Sequence, residues 1–135
     1  MSFREKSAWI SFVSILLVSG VYFSVSWRGV GRGQQFALLM SLVAALAILE
    51  VVLHIAIAIR SPEEARSPKD ERERLIDMKA TRVAFPVLFA GVLLSIFTIH
   101  LGVRTSGLAY AAFLACVVAQ LVRFGAQIVY YRRGV

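Results

Sequence analysis

The sequence predicts an all-α integral membrane protein, a four-helix bundle running up-down-up-down with both termini on the cytoplasmic side. Three observations predict it. The 135 residues are 59% hydrophobic with a mean hydropathy of +0.74, where soluble domains carry ~45–50% apolar residues, and a chain this short cannot hide such a surface from water. The apolar residues gather into four segments, each near the ~20 residues that cross ~30 Å of hydrocarbon. The charges stand almost entirely between and beside those segments.

The first segment runs from about Ala8 to Trp27, the second from Phe36 to Ile59, the third from Val83 to Val103 and the fourth from Leu108 to Tyr131. In lipid a spanning segment must satisfy its own backbone hydrogen bonds, so each is expected to be a helix. The charged start Phe3–Lys6, the apolar stretch after it and Ser24-Val25-Ser26 resemble a secretory signal in outline. That stretch is long for a signal core, and a retained first span is expected. The Gly-rich connection from Arg28 to Gln35 and the turn from Arg104 to Gly107 are short, which makes sequential helices antiparallel neighbours.

Orientation follows from the basic residues. With the N-terminus inside, the cytoplasmic side holds Arg4, Lys6, Arg60, Arg66, Lys69, Arg72, Arg74, Lys79, Arg82, Arg123, Arg132 and Arg133. Only Arg28, Arg32 and Arg104 lie outside, a strong positive-inside bias. Trp9, Trp27, Tyr110, Tyr130 and Tyr131 fall near span ends, where an aromatic belt belongs. The net charge of +7 does not indicate a nucleic-acid partner. The seven cations from Arg60 to Arg82 are nearly balanced by Glu63, Glu64, Asp70, Glu71, Glu73 and Asp77, and the remaining cations, Arg123 apart, are scattered at helix ends.

Between the second and third spans, Ser61-Pro62-Glu63-Glu64 and Ser67-Pro68-Lys69-Asp70 each offer Ser as N-cap, Pro at the first helical position and an acid at the third. The second pattern predicts a cytoplasmic helix over about 68–82 that continues into the third span. Lys69 to Glu73, Asp70 to Arg74 and Arg74 to Asp77 have ion-pair spacing along it. Pro86 at the join removes one helical donor and predicts a kink. Asp70, Glu71, Arg72, Glu73, Arg74 and Lys79 are the candidate surface for a soluble partner, against the plainer reading of a solvated, self-paired helix.

Polar residues inside spans are costly and mark candidate sites. They are Glu50 and His54 on the second span, His100 on the third, and Gln120, Arg123 and Gln127 on the fourth. At ~1.5 Å per residue, Glu50 and Arg123 fall at similar depths toward the cytoplasmic side, so they are the expected intramembrane ion pair. His54 and His100 fall ~20 Å apart by the same rise and cannot share one haem or metal within a subunit. Gly20-x-x-x-Ser24 and Gly91-x-x-x-Ser95 are candidate close-packing faces. Cys116 is the only cysteine, so neither an intrachain disulfide nor a CxxC centre is expected. No hydrolytic, nucleotide-binding or metal motif is legible. No catalytic residue, metal or cofactor is therefore assigned, and no internal repeat is visible.

The stretch Ser67-Pro68-Lys69-Asp70-Glu71-Arg72-Glu73-Arg74-Leu75-Ile76-Asp77-Met78-Lys79-Ala80 resembles the S-P-x-D-E-R-E signature of uncharacterised small bacterial four-span membrane proteins. That resemblance implies a bacterial inner membrane and assigns no site residue. Small multidrug exporters carry an acid in their first span, which has none here. Quinone-linked thiol oxidoreductases carry paired cysteines. Four-helix b-type cytochromes carry histidines at matched depth. The expected role is a non-enzymatic accessory or interaction subunit, a homo-oligomer or part of a larger membrane complex. The alternative is a proton- or ion-coupled transporter or channel using Glu50, His54 and Arg123.

Overall fold

The computed structural model describes residues 3–29, 31–60, 62–63, 68, 70–102 and 105–133. Four long helices account for almost all of them: α1 (Phe3–Trp27), α2 (Arg32–Arg60), α3 (Glu71–His100) and α4 (Thr105–Arg133). Each is long and apolar enough to cross a membrane. Even the shortest, α1 with 25 residues, reaches ~38 Å at ~1.5 Å per residue, beyond the ~30 Å of hydrocarbon. The chain divides into two compact units, Met1–Lys69 and Asp70–Val135, and each is a helical hairpin.

The first hairpin pairs α1 with α2. Ser7 meets His54, and four residues further along α1 Ser11 meets Glu50, four residues back along α2. Contacts that step in opposite directions make the two helices antiparallel. The seam of α1 is built from small side chains: Ala8, Ser11, Ser14 and Ser19 are buried, with Tyr22 beyond them. Small residues let backbones approach without help from the hydrophobic effect, which is weak between helices in lipid. No described residue of α2 is buried, so most of its apolar surface faces away from α1.

The second hairpin pairs α3 with α4. Ile76, Ala80, Ala84 and Ser95 of α3 are buried, as are Ala115, Val117, Ala119 and Ile128 of α4. At its waist Gly91 lies against Ala115. A Cβ built on Gly91 would stand 2.6 Å from the Ala115 Cβ, so only glycine fits. The other small-residue pattern behaves differently: Gly20 has open space around its missing Cβ and Ser24 is exposed. Spacing alone could not separate the two, because it says nothing about which face the partner takes.

The start of α3 corrects the sequence reading. The N-cap is Asp70, and the helix begins at Glu71. Asp70 Oδ1 accepts from the Glu71 backbone N–H at 2.7 Å, and the Glu73 carboxylate accepts from the Asp70 N–H, closing a capping box. Aspartate at an N-cap adds favourable charge at the positive end of the helix, which serine cannot. Ser67, Lys69, Ser61 and Glu64 lie outside the described residues. From Glu71 the helix runs unbroken through Pro86 to His100, as the sequence suggested for the charged helix and third span.

The two hairpins share a layout that the sequence did not display. α1 ends at Trp27 and α3 at His100. Arg28 and Gly29 close the first helix with bonds to Val25 and Ser26 carbonyls, as Leu101 and Gly102 do to Thr98 and Ile99. Gly29 and Gly102 both take positive φ, +83° and +71°, a conformation that favours glycine. The following helices start at Arg32 and Thr105 and end at Arg60 and Arg133. Every one of these pairs is separated by the same number of residues.

Candidate functional site

The polar side chains within the helices form two networks, one in each hairpin, each toward the end away from its tight turn. In the first, Ser11 donates to Glu50 Oε2 at 2.9 Å. His54 Nδ1 lies 2.7 Å from the Glu50 carbonyl oxygen. A carbonyl only accepts, so Nδ1 carries the hydrogen, and in neutral imidazole Nε2 then accepts from the Ser7 hydroxyl, 2.7 Å away. If His54 is protonated, the same hydroxyl turns and accepts instead. His54 Nδ1 also stands 3.9 Å from Glu50 Oε2. Glu50 Oε1 is buried and has no hydrogen-bond partner among the described residues.

In the second network, Asp77 Oδ1 accepts from Arg123 Nη2 at 3.1 Å and from Gln127 Nε2 at 2.9 Å. Arg123 and Gln127 are one turn apart on α4 and converge on the same oxygen. The guanidinium also lies 5.7 Å from the centre of the Phe124 ring, and its Nε is buried without a partner among the described residues. The pair is half-exposed, at 36% for Arg123 and 32% for Asp77, so screening limits its strength below that of a fully buried ion pair.

Within its own hairpin, Arg123 binds a carboxylate that depth arithmetic did not single out, Asp77. Ser7 and Ser11 are likewise polar partners that the sequence reading missed. Gln120, the other in-span polar candidate of the fourth segment, is exposed. His100 is exposed and stacks on Phe97 at 6.0 Å. Cys116 is exposed as well. Of the charged loop candidates, Asp70, Glu71, Arg72 and Arg74 are exposed, whereas Glu73 and Lys79 are half-buried.

Several serines elsewhere in the helices answer to their own backbone. Ser24 bonds to the Gly20 carbonyl, Ser41 to Leu38 and Ser95 to Gly91, which lets a hydroxyl sit in an apolar helix without an outside partner. Ser7 and Ser11 are different, because each reaches across to the neighbouring helix. Among the described residues no three His, Cys, Asp or Glu side chains gather as a metal site would require.

Four apolar helices, with polar groups tied within hairpins, are the architecture of a membrane protein. The family described as "Predicted membrane protein (DUF2178)" matches residues 4–135. The chain belongs to that family. The match takes in both hairpins and both polar networks, so the family's sequence pattern spans the whole described structure rather than the charged stretch alone. Neither a curated protein nor a solved structure matches the chain.

Proposed function

We propose that the protein is a non-enzymatic accessory subunit of a bacterial inner-membrane complex, with both termini cytoplasmic. It would assemble through apolar helix faces and through the charged start of α3. The observation that carries this reading is the capped first turn of α3. Asp70, Glu71, Arg72 and Arg74 are exposed on a helix fixed in place by its capping box, while Ile76 and Ala80 anchor it to α4 from the other side. A charged surface ordered before binding loses little conformational entropy when a partner docks. The unburied apolar surface of α2 supplies a second face, for lipid or for another copy of the chain.

Coupled transport is the second reading, supported by the buried Glu50 Oε1, which has no hydrogen-bond partner among the described residues, beside the His54 imidazole that Ser7 contacts. One experiment separates them. Full-length protein is extracted from its native membrane in mild detergent, and the same preparation is reconstituted for proton-flux measurement. The subunit reading expects an assembly larger than one chain that Arg72→Glu with Arg74→Glu releases, and flux indifferent to Glu50→Gln. A lone monomer with Glu50-dependent flux overturns it.

A further inference from the structure

The first hairpin carries a cleft unrelated to the polar network. Its volume is about 580 Å³, within the ~300–1,000 Å³ typical of ligand sites. Lys6, Trp9 and Ile10 line it from α1, one helical turn of a single face. Leu53, Ala56, Ile57 and Arg60 line it from α2, at the spacing of one face over two turns. The wall is ordered by polarity. Lys6 and Arg60 stand at the outer ends of their helices, where the hairpin opens. Moving inward along either helix, the lining becomes Trp9 and Ile10, or Ile57, Ala56 and Leu53. Both cations are exposed, and among the described residues neither has a carboxylate partner. No acid lines the cleft.

We propose that this cleft binds an anionic phospholipid, its phosphate between Lys6 and Arg60 and an acyl chain along Leu53, Ala56 and Ile57. The polarity gradient matches that of a lipid standing in a leaflet: negative charge at the water boundary, hydrocarbon toward the middle. Basic pockets between spanning helices hold anionic headgroups in this way, and Trp9 sits where an amphipathic ring meets the headgroup level. Ala56, the smallest lining side chain, keeps the apolar floor open. A soluble phosphate would use the cations and leave the floor bare, and a second copy of the chain would leave the cations unanswered. This site is independent of the accessory role and stands or falls separately.

The test uses the full-length chain in nanodiscs of phosphatidylcholine containing a minority of phosphatidylglycerol, with native mass spectrometry of the lipids retained. The wild type is expected to retain phosphatidylglycerol about 25-fold over its share, since each of the two cations near the surface contributes roughly a fivefold preference. Lys6→Gln with Arg60→Gln should abolish the enrichment. Lys6→Arg with Arg60→Lys and, at the opposite end of the hairpin, Arg28→Gln should keep it. Ala56→Trp retains both cations and should lose bound lipid of either class. Enrichment that survives the double Gln substitution overturns the proposal. So does lipid retention unaffected by Ala56→Trp, displacement by soluble glycerophosphate, or a crosslink from residue 56 to a second chain in place of lipid.

Discussion

Asp77 holds the second hairpin together by accepting from two donors on α4, so its removal strands a guanidinium and an amide together. Asp77→Ala should destabilise the protein by about 1–3 kcal/mol, the range for hydrogen bonds to charged groups, nearer the lower end because the site is half-exposed. Unfolding of the full-length chain in mixed detergent micelles measures this. Asp77→Ala combined with Arg123→Ala should cost less than the two single changes together, and strict additivity would contradict the pairing. The sequence left this residue unread for a definite reason. Counted with its charged neighbours, Asp77 looks like one more solvated acid. Its phase says otherwise: Ala80 and Ala84, three and seven residues on, are both buried. Glu50 and His54 were legible because charge and imidazole stand out in an apolar run. Ser7 and Ser11 were not, because serine is usually satisfied by its own helix and nothing local distinguishes those that reach across.

At the scale of helices, the number and type of elements were legible because each span is long and uniformly apolar. Their partners were not, because apolarity on every face leaves little periodic signal to say which face is inside. The waist of the second hairpin makes the point. Gly91 and Gly20 carry the same small-residue spacing, yet only Gly91 touches another helix. Gly91→Ala should therefore lower stability by about 1–3 kcal/mol through overpacking, whereas Gly20→Ala should be neutral or slightly stabilising through helix propensity. Ala115→Gly introduced beside Gly91→Ala should restore much of the loss, because it removes the methyl that the new side chain meets. Helicity and unfolding midpoints of the three variants, read beside the wild type in the same detergent, check the series. Equal effects at residues 20 and 91 would contradict the packing described.

At the scale of the whole molecule, the proposed orientation rests on twelve basic residues set against three. In a Cys116→Ser background, Arg72→Cys should react with an impermeant thiol reagent only from the cytoplasmic side, and Arg28→Cys only from the opposite side. Both positions are exposed, so accessibility reports sidedness rather than burial. The matched landmarks of the two hairpins have a further consequence for how the chain tolerates change. One residue inserted within a helix turns everything beyond it by about 100° around the axis, carrying Glu50 and His54, or Arg123 and Gln127, off the seam. An insertion between Arg60 and Asp70 rotates neither. Each hairpin's internal phase is set within its own two helices, whatever the number of residues that join one hairpin to the next.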